Sequence, residues 1–322
     1  MPSSGKVRWG IIGPGGISAI LLRDLGRASN FEVVAVASRD RSRARTFASR
    51  FGIGSVHGSY EELLADPSVD AVYIGLPNSL HHPMTMKALA AGKQVLCEKP
   101  YTRHPDEVTA AFDEAEARHL FLMEAFMWRH RPQVRRFVEL LPEIGELVAI
   151  RASFSFVLHN LDDVRLDPIL DGGALMDVGC YSVSGARLVA GEAPVRVFGE
   201  QKLAPSGVDN EFTGLLRFPS GVVAQISAGF TSDHRSLEAI GSKATLAIRD
   251  PWLGESGGVT LNGQEITVAD DDAYRLELEN LSAAILGQGR PLLGRADALG
   301  QARTIEALYR SAELGTPVTL DD

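Results

Sequence analysis

Three side chains in this sequence have the types and spacing to move a proton beside a hydride: Lys99, Asp177 and Tyr181. Oxidising a secondary alcohol or hemiacetal by hydride loss also requires the hydroxyl proton to leave. A phenol with a pKa near about 10 is a poor base at neutral pH. A neighbouring ammonium favours the phenolate and stabilises a developing alkoxide. Tyr181 is therefore the candidate acid/base and Lys99 its charge partner, while Asp177 would hold a substrate hydroxyl or orient Lys99. Asp177 and Tyr181 stand four apart, one turn apart on one helix face. Gly172 and Gly173, just before them, permit a sharp turn and close backbone approach. The plainer alternative is an ordinary helix carboxylate and a half-buried aromatic whose hydroxyl bonds backbone.

A hydride needs an acceptor, and Gly13-Pro14-Gly15-Gly16-Ile17-Ser18 is a candidate cradle for one. It follows an apolar run and opens a helical pattern, the placement a dinucleotide turn needs. Gly13 permits the tight turn, Gly15 lets the backbone approach a pyrophosphate, and Gly16 and Ile17 begin a helix whose N–H groups face the anion. Ser18 stands where Gly or Ala is usual. The next apolar run ends Ala37-Ser38-Arg39-Asp40. An acidic tip would bond a ribose 2′-hydroxyl, whereas Ser38 and Arg39 suit a 2′-phosphate. NADP(H) is thus expected ahead of NAD(H), with Asp40 pulling the other way. Arg41, Arg43 and Arg45 are expected on a solvated face.

Further along, Leu76, Pro77, Asn78 and His81 lie where a parallel sheet binds ligands, at its carboxyl edge. Asn78 would bond a cofactor ribose and His81 would touch nicotinamide or substrate, with His82 at the surface. The fifth strand delivers Glu98 and Lys99 to the same edge, where both are expected to meet the cofactor, and the Lys99–Pro100 peptide is expected to be cis. Arg165 is expected either to bind a hydroxyl-rich ligand or to pair with Asp162 or Asp163. Trp128, Arg129 and His130 would line the cleft or belong to a domain seam. No Tyr-x-x-x-Lys spacing of short-chain dehydrogenases occurs.

The elements that position these groups follow from hydrophobic pattern. Val7–Ile12, Glu32–Ala37, Ala71–Ile74, Gln94–Cys97 and Leu120–Glu124 read as strands, mostly buried on both faces. Helical patterns separate them at Ile17–Ala28, Ser42–Phe51, Pro83–Ala91 and Pro105–Arg118. Such alternation predicts βαβ crossovers and a parallel doubly wound Rossmann sheet over residues 1–123. Residues 124–322 have another texture. Helices are expected at Pro132–Leu141, Gly172–Val189, Leu276–Leu286 and Ala296–Ala312, around alternating runs between Val195 and Val268. This predicts an α+β domain on one large open antiparallel sheet.

Composition bounds the rest. The 322 residues allow two ordinary domains, and 45% apolar with 23% charged types is a globular balance. A net charge of −9 argues against nucleic-acid or anionic-membrane partners, which need a basic footprint. Cys97 and Cys180 belong to no metal-binding pattern, so no metal is expected. With no secretory pattern at Met1–Lys6, a reducing cytoplasm is the expected location.

Taken together, Val7–Gly16, Glu98-Lys99-Pro100 and Gly172–Tyr181 resemble the glucose-fructose oxidoreductase / inositol dehydrogenase (Gfo/Idh/MocA) family. Met123–Arg129 and Asp177–Tyr181 look most like its branch of NADP-dependent D-xylose dehydrogenases and dimeric dihydrodiol dehydrogenases, and the branch is also similar to sugar 3-ketoreductases. The resemblance implies a Rossmann domain, then a sheet domain that pairs subunits into a homodimer or homotetramer. It implies NADP(H)-dependent hydride transfer on a sugar or cyclic polyol, with Lys99, Asp177, Tyr181 and Arg165 meeting the substrate. A trans-dihydrodiol dehydrogenase and a non-catalytic cofactor-binding regulator are the alternatives.

Overall fold

A computed structural model describes residues 5–23, 25–26, 28–254 and 258–320. The Met1–Ser4 part of the N-terminal segment read for a secretory pattern lies outside the described residues. The chain forms two compact units: Met1–Thr102, Asp106–Met127 and Asp272–Ala298 make the first, and Arg103–Pro105, Trp128–Asp271 and Leu299–Asp322 the second.

The first unit begins β1 (Val7–Ile12), α1 (Gly16–Leu21), β2 (Phe31–Ala37), α2 (Arg41–Phe51), β3 (Ser55–His57), α3 (Tyr60–Leu64) and β4 (Ala71–Ile74). It continues with α4 (His81–Ala90), β5 (Gln94–Glu98), α5 (Pro105–Ala117) and β6 (Leu122–Ala125). Six strands pair in the order β3-β2-β1-β4-β5-β6, every pair parallel; five are the strands the alternating pattern predicts, and the short β3 is one it passed over. β4 is wholly buried, and β1, β2 and β5 largely so, because crossover helices cover both faces. α1 ends at Leu21, well short of the expected Ala28; residues 24 and 27 of that span lie outside the described ones.

The second unit contributes α6 (Pro132–Leu140), β7 (Leu147–Ser155), α7 (Cys180–Ala190), β8 (Arg196–Leu203), β9 (Asp209–Arg217), β10 (Val223–Gly229) and β11 (His234–Gly241). Then come β12 (Thr245–Arg249), β13 (Val259–Leu261) and β14 (Gln264–Ile266). After α8 (Ala273–Ile285) and α9 (Arg295–Leu314), β15 (Val318–Thr319) closes a nine-stranded sheet in the order β14-β13-β12-β11-β7-β10-β9-β8-β15.

Two expectations are corrected. The large sheet is mixed rather than wholly antiparallel, because β7 lies at its middle and runs parallel to β10. Sequence reasoning passed over β7, although Val148-Ala149-Ile150-Arg151-Ala152 carries a usable alternation. The second correction concerns the boundary: residues 124–127 and all of α8 belong to the first unit, not to a second domain starting at 124. The cause is long-range. Trp9 Nε1 donates to Ser282 Oγ at 3.0 Å inside the core, and Asn30 Nδ2 donates to Glu279 O at 2.9 Å. No helix among the described residues is long and apolar enough to cross a membrane.

Candidate active site

The glycine turn after β1 is held by its own third motif position. Gly13 sits at φ +92°, and a Cβ there would meet Gly75 O and the Leu76 side chain. Ser18, fully buried, donates its hydroxyl to Gly13 O at 2.6 Å. The departure from Gly or Ala is thus a staple across the turn. Gly16 is exposed with no atom within 4 Å of a Cβ position, and Gly15 meets only Gly75 O at 3.9 Å. This backbone is open to a pyrophosphate.

At the tip of β2 the ambiguity of Asp40 resolves. Its Oδ1 accepts from Ser42 N at 2.8 Å, Ser42 Oγ at 2.6 Å and Arg43 N at 3.3 Å, capping α2. The Ser42 hydroxyl, then these N–H groups, hold the carboxyl below its ordinary value. Ser38 is buried, with Oγ accepting from Asp40 N at 3.2 Å, while Arg39 is exposed beside it. A carboxylate engaged in a cap is not aimed at a ribose, so these residues fit a 2′-phosphate.

Lys99 follows β5 at the carboxyl edge of the same sheet, and the Lys99–Pro100 peptide is cis. Its amide donates to Glu98 Oε2 at 3.2 Å, and Glu98 Oε1 accepts from the Tyr73 hydroxyl at 2.6 Å. Burial, then the Glu98 charge, pushes the Tyr73 phenol far above its ordinary value. Glu98 is itself buried, with one oxygen bonded to the backbone amide of Lys99.

His81 requires a correction. Its ring is fully buried, with Nδ1 2.8 Å from Pro100 O and Nε2 2.8 Å from Leu76 O. Burial lowers its pKa against the opposing pull of these carbonyls. The ring therefore ties the loop after β4 to the loop after β5 rather than touching a ligand. Leu76, Pro77 and Asn78 remain partly exposed on that loop, Asn78 opening a short 3₁₀ turn. His82 is half-buried, with Nδ1 2.9 Å from the Tyr101 hydroxyl.

In the second unit, Asp177 lies in a π-helical turn, Leu175–Gly179, that runs directly into α7 and Tyr181. Such i→i+5 turns are frequent at functional sites. Gly173, at φ +124°, and Gly172 precede it, and a Cβ on either would overlap neighbouring atoms: Arg165 O for Gly172, Asp209 Oδ1 for Gly173. Tyr181 is 5% exposed, its ring edge-on to Phe154 at 5.3 Å and tilted against Trp252 at 5.8 Å. Arg165 pairs with both carboxylates within reach: Nε lies 2.7 Å from Asp177 Oδ2 and Nη1 3.1 Å from Asp163 Oδ1. Their charges, Asp177 first, raise its pKa. The pairing partner left open by sequence thus includes Asp163, and also Asp177, which pattern alone did not suggest.

Asp209, Tyr309 and Glu277 escaped sequence reasoning. Asp209 accepts from Leu175 N at 2.6 Å and from the Tyr309 hydroxyl at 2.8 Å. Glu277 of α8 is fully buried, neither oxygen having a hydrogen-bond partner, and burial followed by the Glu98 charge drives its carboxyl far up. No local signal marks a buried acid on a strand or helix, because its partners are chosen by packing. Of the remaining expectations, Trp128 is fully buried against Trp252 at 4.9 Å, and both cysteines are buried. Burial pushes the Cys97 thiol far up, which suits an inert side chain.

Residues 7–126 match a family described as "Oxidoreductase family, NAD-binding Rossmann fold", and residues 135–247 match the "GFO/IDH/MocA C-terminal domain". The chain is 40% identical to D-xylose 1-dehydrogenase (NADP(+)) 2 of Haloferax volcanii, covering 97% of this chain and 99% of that one. It is 37% identical to trans-1,2-dihydrobenzene-1,2-diol dehydrogenase of Sus scrofa over 76% of this chain and 75% of the relative. A crystal structure of a 3-ketoreductase from Actinomadura kijaniata, complexed with NADP and TDP-benzene, superposes with a TM-score of 0.86 at 31% identity. That match covers 95% of this chain and 98% of the other.

Proposed function

Given that the chain belongs to the Gfo/Idh/MocA family of oxidoreductases, we propose that it moves a hydride between NADP(H) and a hydroxyl or carbonyl of a sugar or cyclic polyol. The observation that carries this reading is Lys99. It leaves β5 at the ligand-binding edge of the sheet, in the unit that holds the glycine turn, on a backbone braced by Glu98 and reached by His81 through Pro100.

When bound, NADP(H) supplies the hydride donor or acceptor. Gly13, Gly15, Gly16 and Ile17 hold its pyrophosphate, Ser38 and Arg39 its 2′-phosphate, and Leu76, Pro77 and Asn78 the nicotinamide half. The Tyr181 phenolate takes the substrate hydroxyl proton during oxidation, and the phenol so formed returns it during reduction. The Lys99 ammonium supplies positive charge for a developing alkoxide. Asp177, in its pair with Arg165, accepts from a neighbouring substrate hydroxyl. The test is a panel of aldoses with NADP⁺ followed at 340 nm against Lys99→Met and Tyr181→Phe. A loss of at least about a hundred-fold in each supports these roles, and undiminished turnover in both removes them.

A second reading, trans-dihydrodiol dehydrogenase, is favoured by the aromatic surroundings of Tyr181, with Phe156 and Phe230 also paired in this unit at 5.4 Å. Side-by-side rates on xylose and an aromatic dihydrodiol separate the two. Cofactor binding without turnover on any substrate would instead favour a regulator. The same reading takes the protein to work in a reducing cytoplasm, as a homodimer or homotetramer paired through its large sheet. Light scattering of the purified chain tests the pairing.

A further inference from the structure

We propose that Asp209 is a positioning residue for the reaction, fixing from the start of β9 the backbone at which the Asp177–Tyr181 helix begins; this rests on the reading of Asp177 and Tyr181 as reacting groups. The helix start leaves N–H groups with no intrahelical partner. One of them, Leu175 N, donates to Asp209 Oδ2 at 2.6 Å, two residues before Asp177. The other oxygen, Oδ1, accepts from the Tyr309 hydroxyl of α9 at 2.8 Å. Asp209 is 2% exposed, an environment in which a carboxylate is costly unless it is bonded.

The turn is shaped around this carboxylate. Gly173 holds φ +124°, and a Cβ at that position would overlap Asp209 Oδ1. Only glycine lets the chain pass so close. Tyr309 is fixed in turn: the Arg103 guanidinium lies 5.1 Å over its ring and 3.1 Å from Asp171 Oδ1. The titratable groups facing Asp209 are therefore Tyr309 from α9 and Arg103 from the segment before α5, with Asp171 facing Tyr309 from the turn. A strand, a helix and a loop thus converge on the first residues of the π-helical turn.

Three variants test this: Asp209→Ala, Asp209→Asn and Tyr309→Phe. Asparagine keeps an acceptor for Leu175 N–H and donates to the phenol oxygen, whereas alanine leaves both buried groups unbonded. Each variant is studied well below its unfolding temperature, by hydrogen exchange across residues 173–181 and by kcat and KM. Asp209→Ala should exchange about ten-fold faster at Leu175–Asp177 and lose about ten-fold in kcat, with KM for NADP⁺ within about two-fold. Asp209→Asn should restore both to within about three-fold. Faster exchange with unchanged kcat would reduce Asp209 to a brace, and unchanged exchange would remove the anchor; either overturns the proposal. Should Asp209→Ala not fold, Tyr309→Phe carries the test, with about three-fold changes of the same sign expected and wild-type behaviour overturning it. If Tyr181→Phe keeps full turnover, the proposed chemistry fails while the exchange measurement still reports on the anchor.

Discussion

Arg165 Nε stands 2.7 Å from Asp177 Oδ2, so the carboxylate expected to meet substrate is already half of an ion pair. Nη1 of the same guanidinium reaches Asp163 Oδ1 at 3.1 Å. Arg165 is 41% exposed and Asp177 17%, which sets a solvent-screened pair rather than a buried one. Arg165→Met should therefore shift stability by less than about 1 kcal/mol. It should lower kcat/KM for the sugar about ten-fold, because Asp177 loses the partner that orients it. Wild-type kcat/KM in this variant would make the pair a surface salt bridge without a part in the reaction.

Asp40 and Arg39 adjoin in sequence and should separate in function. Asp40→Ala removes the cap of α2 and is expected to lower the melting temperature by about 2–4 °C. The preference for NADP⁺ over NAD⁺ should stay within about two-fold, since no ribose contact is lost. Arg39→Ala should raise the Kd for NADP⁺ about ten-fold or more while leaving NAD⁺ unaffected. Fluorescence titration with both nucleotides decides it, and a selective loss of NAD⁺ binding in Asp40→Ala would reverse the assignment.

His81→Ala leaves Leu76 O and Pro100 O without their ring partner in a buried place. A neutral ring carries one N–H and donates to only one of these carbonyls, so unfolding in urea should show a loss of roughly 3 kcal/mol from that bond and, mainly, from the cavity. KM for NADP⁺ should rise as the two loops loosen. A raised KM with unchanged stability would return His81 to direct ligand contact.

Asp209 carries a pH dependence whose sign follows from burial. Desolvation raises its pKa to about 6 from the ordinary 3.8. A carboxyl raised in the folded state contributes stability in full below the unfolded value and loses it as pH climbs through the folded one. The contribution should therefore be largest near pH 4 and disappear by pH 8, an effect of about 3 kcal/mol. Asp209→Asn has no such proton. The unfolding free energy of the wild type relative to this variant should fall across that interval, and a flat difference would refute the buried charge.

Much of the first unit was legible because its signals are local. A glycine that needs φ +92°, a buried apolar run and a helix after it all lie within a dozen residues, and the βαβ alternation repeats them. Lys99 could be assigned to the sheet edge for the same reason. The second unit was less legible. β7 carries an alternation that its exposed Val148 interrupts, and long-range pairing puts it at the middle of the sheet.

The order of residues alone indicated a parallel frame through five of its six strands, the glycine turn, Ser38 and Arg39 as candidates for a 2′-phosphate, and the identity of the candidate ammonium, carboxylate and phenol. Tertiary structure alone decided which groups partner them: Asp40 with its own helix, His81 with two carbonyls, Arg165 with Asp177, Asp209 with Leu175, and α8 with β1 and its neighbours. The division is physical. Backbone conformation and apolar periodicity are set by a few adjacent residues, whereas a polar partner is chosen by whichever distant segment packing brings within about 3 Å.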